Sequence, residues 1–174
     1  MNRHPWRRLA AWLVDWLLVL GWVAITAAAG VPLFLSGVTR GLSAVELNLV
    51  ATLVLVAPVT LGMAGLESSL REATLGKRAR QLIVINVATG QRISMKRALL
   101  RNAVKITLPW TIGHAAAYGI VDTSATGFVP LSIWIVTAIA YVLPTTYVVS
   151  LFIGSGRTPY DRISGTAVVA HTPT

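Results

Sequence analysis

The stretch "RRLAAWLVDWLLVLGW", residues 7–22, places one acidic residue, Asp15, inside an apolar run that continues to Leu35. A helix that spans a bilayer needs ~20 mainly apolar residues, and this run is longer than that. A carboxylate inside such a helix is costly, so it usually faces the protein interior and is paired. The stretch therefore predicts a membrane-spanning helix that carries a buried acidic group near its first end.

The rest of the chain repeats this apolar pattern. Of its 174 residues, 55% are hydrophobic and only 12% are charged. Low-charge stretches predict four spans, which we place at 9–35, 44–66, 103–121 and 128–153. The fold expected is an all-α integral membrane protein with four transmembrane helices in a single domain, 1–174. A soluble all-α protein is the alternative, but its buried helices would still need polar outer faces.

The positive charge of the chain is distributed unevenly. The formal net charge is +9, and the basic residues concentrate before the first span and in the segment 67–102. Lysine and arginine favour the cytoplasmic side of a membrane. We therefore expect a multi-pass protein of the bacterial plasma membrane with segment 67–102, the tail 154–174 and both termini in the cytoplasm. Nucleic acid is not expected as a partner, because the basic segment lacks aromatic residues on which bases could stack.

The run "MKRALLRNAVK" has the pattern of an amphipathic helix, and Ser94 is placed to cap its N-terminus. Such a helix lies on an anionic membrane surface. Six basic residues are expected to bind lipid headgroups in this part of the chain: Lys77, Arg78, Arg80, Lys96, Arg97 and Lys105.

Two short β-branched runs interrupt the helical pattern. "LIVIN" covers residues 82–86 and "TAVVA" covers residues 166–170, on the same side of the membrane. We predict that they pair as a small cytoplasmic sheet, with Gly90 in a turn that requires a positive φ. Within the second span, Pro58 is expected to kink the helix or to free a backbone carbonyl that a neighbouring helix must satisfy.

Soluble-type catalytic motifs are absent from the sequence. There is no cysteine, no phosphate-binding loop and no histidine cluster with metal-ligand spacing. We therefore expect neither an enzyme nor a metal or other cofactor. Glu67 is expected to be a surface acid beside basic neighbours.

The charge of Asp15 must then be neutralised by a cation from another element or by a proton. Among Arg101, Lys105 and Arg162, we favour Arg101 as its partner. The pair could be a structural ion pair that fixes helix packing, or an ion or proton site. His114 in the third span is a candidate proton relay, although a neutral packing role is the commoner one for a lone histidine.

Four motifs, taken in order, resemble those of the RDD family of bacterial and archaeal membrane proteins, named for one arginine and two aspartates. They are "RRLAAWLVD" with Arg8 and Asp15, "TLGKRARQLIVIN", "TGQRIS" with "RALLRN", and "DRISGTAVV" with Asp161. Two positions depart from the family pattern. Tyr160 stands where a histidine is usual, and Gln81 stands where a glycine is common.

The resemblance implies a helical membrane protein that is often supposed to transport a solute, and cation/proton antiport is proposed for some members. One hypothesis is therefore a small transporter or transporter subunit, in which Arg8, Asp15, Asp161 and Arg101 form a charge cluster at the cytoplasmic mouth. Four spans are few for alternating access, so this hypothesis requires a homo-oligomer. The alternative is a non-catalytic structural or accessory protein that binds anionic lipid or a partner membrane protein.

Overall fold

The computed structural model describes residues 3–124 and 127–171, most of which are helical. The elements, in chain order, are α1 (Pro5–Leu35), α2 (Ala44–Ala51), a π-helical turn (Thr52–Val56), α3 (Ala57–Ser68), α4 (Leu75–Ala79), β1 (Leu82–Asn86), α5 (Met95–Asn102), a second π-helical turn (Ala103–Thr107), α6 (Leu108–Ser124), α7 (Leu131–Ser150), α8 (Pro159–Ile163) and β2 (Thr166–Ala170).

Three of the described helices are long and apolar enough to cross a membrane: Pro5–Leu35, Ala44–Ser68 and Leu131–Ser150. They correspond to the predicted spans 9–35, 44–66 and 128–153. The predicted span 103–121 is also helical, but α6 has 17 residues and is not among the three. Its shortness follows from the basic amphipathic helix α5, which occupies the first part of the same continuous helical segment.

The second span contains a freed backbone carbonyl, which is the feature that Pro58 predicts. A π-helical turn, Thr52–Val56, precedes Pro58, which has no N–H to donate to the carbonyl four residues earlier. That carbonyl belongs to Val54, and the indole N–H of Trp22 in α1 donates to it at 3.3 Å. The expectation that a neighbouring helix satisfies a carbonyl freed by Pro58 is therefore confirmed.

The predicted sheet is also confirmed. β1 and β2 pair in antiparallel orientation, with Leu82 opposite Ala170 and Asn86 opposite Thr166. The turn after β1 contains Gly90 at φ +69°, the left-handed conformation that its position predicted. The sheet forms part of a buried apolar cluster with residues of α1, α3 and α5: Ala11, Ala64, Leu82, Val84, Ile93, Ala98 and Val168.

The packed part of the molecule lies at one end of the helices. We call this the sheet end, because α4, α8, both strands and the first turns of α1 meet there. The opposite, far end is much more open, and every residue of α1 from 27 to 35 is exposed. Apolar exposure of this kind is what a helix surrounded by lipid requires.

Candidate functional site

A cluster of charged side chains, most of them buried, lies at the sheet end of the helices. It contains four cations and three carboxylates: Arg8, Lys77, Arg101 and Lys105 with Asp15, Glu67 and Asp161. We call this set the charge cluster. A charge taken out of water is costly unless it is paired and hydrogen-bonded, so the partners of each member show what holds it there.

Asp161 links the tail to α1 and α5. Its Oδ2 accepts a hydrogen bond from Arg8 at 2.6 Å, and its Oδ1 accepts one from Arg101 at 3.0 Å. The local sequence positions this carboxylate, because Thr158 caps α8 and forms a reciprocal capping box with Asp161. Burial alone would raise the pKa of Asp161, but the guanidinium groups of Arg101 and Arg8 outweigh burial and lower that pKa to about 2.

Glu67 is the second carboxylate that holds Arg101. Both carboxylate oxygens of Glu67 accept from Nη1 of Arg101, at 2.5 and 2.7 Å, and Lys77 and Asn102 also donate to Glu67, at 2.7 and 2.8 Å. The prediction that Glu67 is a surface acid was wrong, since its side chain is fully buried. A helical signal was present, because Glu67 continues the buried face of α3 formed by Thr60, Met63 and Ala64.

Lys77 is buried as well, and it is not the surface lipid ligand that the sequence predicted. Its ammonium pairs with Glu67 at 2.7 Å and lies 3.3 Å from the Thr74 hydroxyl. Burial lowers the pKa of Lys77 to about 8, while the charge of Glu67 opposes that shift.

Of the other predicted lipid ligands, Arg78, Arg80 and Lys96 are exposed, as expected for surface groups. Arg97 is half-buried, and its guanidinium donates to the side-chain oxygen of Asn86 at 3.3 Å.

Asp15, the acid that opened the sequence, forms no ion pair within the described residues. Its carboxylate instead accepts hydrogen bonds from the Thr74 hydroxyl at 2.6 Å and the Gly76 backbone N–H at 2.8 Å. The expected pair between Asp15 and Arg101 was therefore wrong, because Glu67 and Asp161 already occupy the guanidinium of Arg101. Neutral donors at the start of α4 satisfy Asp15 in place of a cation.

Gly76 has no side chain, and this allows the close contact between α1 and α4. A Cβ at this position would lie 2.0 Å from the backbone oxygen of Ala11 and 2.9 Å from the carboxyl carbon of Asp15. Real Cβ atoms do not approach other atoms so closely, so only glycine lets α4 come within hydrogen-bonding distance of Asp15.

A cavity of about 460 Å³ adjoins the charge cluster. Residues of α1, α3, α6 and α7 line most of it, and Arg8, Asp15, Lys77, Arg101 and Lys105 contribute its charged lining. Of these five, Lys105 is the one that forms no hydrogen bond or ion pair with any residue in the ranges 3–124 and 127–171. The lining therefore carries one cation without a hydrogen-bonding or ion-pair partner among the described residues, although the charges of Glu67 and Asp15 attract it from a distance.

His114, the candidate proton relay, also lines the cavity. Its Nε2 accepts a hydrogen bond from the indole N–H of Trp110 at 3.1 Å, and its ring stacks between Trp110 and Tyr118. Its Nδ1 is buried and has no partner among the described residues. No direct hydrogen bond joins His114 to Asp15, so the structure does not bring these two proposed relay groups into contact.

Comparison with known proteins places the chain in a family. A family model described as "RDD family" matches residues 3–165. The chain belongs to the RDD family. No curated protein and no solved structure matches it.

The arginine and two aspartates that identify an RDD protein in this sequence all lie in the charge cluster. Arg8 and Asp161 form an ion pair between α1 and the tail, and Asp15 joins α1 to the start of α4. Of the four predicted cluster residues, Arg8, Asp161 and Arg101 form one connected group. Asp15 has separate partners, although it lines the same cavity.

Tyr160, which departs from the usual RDD histidine, also contacts this group. The guanidinium carbon of Arg101 lies 5.2 Å from the centre of its ring, within the range of a cation–π interaction. The ring also packs edge-on against Tyr147 of α7, with centroids 5.0 Å apart. An aromatic side chain at this position therefore covers the charge cluster on the α7 side.

Proposed function

We propose that this RDD protein crosses the bacterial plasma membrane four times, with both termini in the cytoplasm. Two contacts at the sheet end support an even number of crossings. Arg7 donates to backbone carbonyls of Arg80 and Gln81, and Arg8 pairs with Asp161. The N-terminus, the middle segment and the tail therefore meet on one side. With α7 crossing once between the middle segment and the tail, this arrangement supports a crossing by α6 as well.

Single cysteines would test this topology, because the chain has none of its own. Val38→Cys, Phe128→Cys and Ser155→Cys are placed in the first loop, in the loop before α7 and in the tail. With a membrane-impermeant maleimide on vesicles of known orientation, we expect the first two to react from one side and Ser155→Cys from the other. Phe128→Cys reacting together with Ser155→Cys would show that α6 does not cross.

We propose further that the chain is a non-catalytic accessory membrane protein that binds an anion in the cavity. The observation that carries this proposal is Lys105, the cation of the cavity that has no hydrogen-bonding or ion-pair partner in the part of the chain that the structure describes. The charge cluster has four cations against three carboxylates, so a bound anion neutralises its excess charge. Pairing is favourable here because Lys105 is only partly exposed, and a poorly solvated charge gains more from a partner than one in water.

The same geometry argues against a cation as the ligand. Both oxygens of Asp15 already accept short hydrogen bonds, and Glu67 and Asp161 are each shared by two cations. A further cation would find no free carboxylate among these three and would add to the positive charge of the cluster. Anion binding is therefore the better match to these side chains.

Titration of the purified full chain in a neutral detergent would test anion binding. The probes are inorganic phosphate and octyl phosphate, and calorimetry would measure their binding. We expect at least one of them to bind, Lys105→Ala to weaken that binding tenfold or more, and Lys105→Arg to retain it. Lys96→Ala is the matched control, because Lys96 is an exposed lysine nine residues earlier on the same helical segment. Equal binding by the wild type and Lys105→Ala would overturn the proposal.

The second candidate function is transport of a cation or proton by a homo-oligomer. The observation that favours it is that Asp15 and His114, two titratable groups, line one cavity. Proteoliposomes with a pH-sensitive dye and a sodium or potassium gradient would test this function. Asp15→Asn preserves the shape of the side chain, so a proton or cation flux that this variant leaves unchanged would argue against it.

A further inference from the structure

We propose that the anion is the phosphate of a membrane lipid, whose headgroup lies at Lys105 and whose chain lies between α1 and α7. This inference rests on the proposed anion site and specifies its ligand. Three features of the cavity carry it: the composition of its wall, its opening and the position of its charge.

The wall beside the charged residues is aromatic and aliphatic. Trp12, Trp16, Trp110 and His114 form a continuous row of rings, with successive centroids 5.5, 5.7 and 5.8 Å apart. A hydrated inorganic anion would lose water against such a wall without gaining hydrogen bonds, which is costly. An amphiphile places its charged group at Lys105 and buries an apolar chain against the rings, which is favourable at ~25 cal/mol per Å².

Two residues that line the cavity are also exposed on the apolar outer surfaces of α1 and α7. Trp12 of α1 and Val148 of α7 both line the cavity, and each is 44% exposed. At the sheet end the ring of Trp6 in α1 lies 5.3 Å from that of Phe152, two residues after α7, and the two helices do not pack along their lengths. A chain therefore reaches the cavity sideways from the bilayer, without passing through the protein.

The charge lies where a headgroup would reach it. Lys105 is three residues beyond the amphipathic helix α5, at the junction between the basic segment and the third predicted span. Ammonium groups at this depth attract anionic headgroups of the cytoplasmic leaflet. The volume, about 460 Å³, falls within the ~300–1,000 Å³ typical of small-ligand pockets, so the site holds part of one lipid molecule.

The test compares lipids that share their chains but differ in headgroup charge. Native mass spectrometry of the full chain in neutral detergent would measure binding of phosphatidylglycerol and of phosphatidylcholine. We expect phosphatidylglycerol to bind at least tenfold more tightly, Lys105→Ala to abolish that preference and Lys105→Arg to restore it. Lys96→Ala, which removes an exposed lysine, should keep the preference. Equal losses in Lys96→Ala and Lys105→Ala would assign the lipid to the surface and overturn the inference.

Two further arms separate this inference from the anion site itself. If inorganic phosphate binds as tightly as octyl phosphate, the anion site stands and the lipid inference fails. If neither phosphate nor lipid binding depends on Lys105, both proposals fail. Phosphatidylglycerol with brominated chains provides an independent readout. It should quench the fluorescence of the wild type more than that of Trp110→Phe, whereas an equal quench would place the chain outside the cavity.

Discussion

The two ends of the helices are built on different principles. At the sheet end, the carboxylates and guanidinium groups of the charge cluster are buried, and each of these carboxylates has at least two donors. At the far end, nine consecutive residues of α1 are exposed, and Asn48 of α2 reaches α6 through a single hydrogen bond to the Thr111 carbonyl, at 3.2 Å. The first end depends on exact polar pairing, and the second needs only apolar helices in lipid.

This difference shows what the RDD residues contribute. Arg8, Asp15 and Asp161 tie the first helix to two segments that follow it much later in the chain. Their loss should therefore disturb the sheet end before it disturbs the insertion of apolar helices at the far end. Pairs of similar substitutions, one at the sheet end and one at the far end, test this difference between the ends.

The largest effect is expected from Glu67→Ala. This change leaves Arg101, Lys77 and Asn102 buried without their shared acceptor, and removal of one partner from a buried ion pair costs about 3–5 kcal/mol. Unfolding of the detergent-solubilised chain, followed by tryptophan fluorescence, would measure the loss. Glu46→Ala at the far end is the control, because Glu46 is exposed and forms part of the capping box of α2. Equal losses in the two variants would contradict the division between the ends.

Gly76→Ala should follow in size, at about 3 kcal/mol. The added Cβ would overlap the Ala11 backbone oxygen, which lies 2.0 Å from its position, and overpacking against backbone costs ~1–3 kcal/mol or more. Gly62→Ala in α3 is the matched control, since a Cβ there meets nothing within 4 Å. Because alanine favours helix over glycine, Gly62→Ala should leave the free energy of unfolding unchanged or raise it. A similar loss in both would show that Gly76 is not a close contact.

Part of this architecture follows from the sequence. The apolar runs predicted the three long helices, and the β-branched runs at 82–86 and 166–170 predicted both strands, because these patterns depend on local periodicity. Pro58 predicted a freed carbonyl, because the missing N–H of proline is a property of the residue itself.

The partners within the charge cluster were less predictable. Charge and topology suggested that Arg101 would pair with Asp15. Which of several acids Arg101 pairs with, however, depends on how α3, α5 and α8 pack together. Glu67 looked like a surface residue because basic residues follow it in the chain. The chain folds back after Glu67, however, and one of those basic residues, Lys77, pairs with it in the interior. The donors to Asp15, the Thr74 hydroxyl and the Gly76 N–H, are neutral, so the charge pattern of the sequence did not indicate them.

The pH dependence of stability should also divide the two ends. The pKa of Asp161 is about 2 in the folded chain and 3.8 when unperturbed. Because the folded pKa is the lower one, the contribution of Asp161 to stability is fully present above about pH 4. It is lost as the pH falls toward 2, and it amounts to about 2 kcal/mol. Acid unfolding curves of the wild type and Asp161→Asn should therefore converge over this window. Parallel curves throughout would show that the pairs with Arg8 and Arg101 do not lower that pKa.

The smallest expected effects come from two capping boxes of the same type, one at each end. Thr158 caps α8 at the sheet end and is fully buried, whereas Ser43 caps α2 at the far end and is exposed. Loss of a cap costs ~1 kcal/mol, but Thr158→Ala also removes the hydroxyl that donates to Asp161 at 2.8 Å. We expect Thr158→Ala to cost about 1–2 kcal/mol and Ser43→Ala less than half as much, measured by the same unfolding titration. The ratio matters more than either value, because helix capping is common to both and only burial in the charge cluster differs. Equal costs would mean that the polar network at the sheet end adds nothing to an ordinary cap.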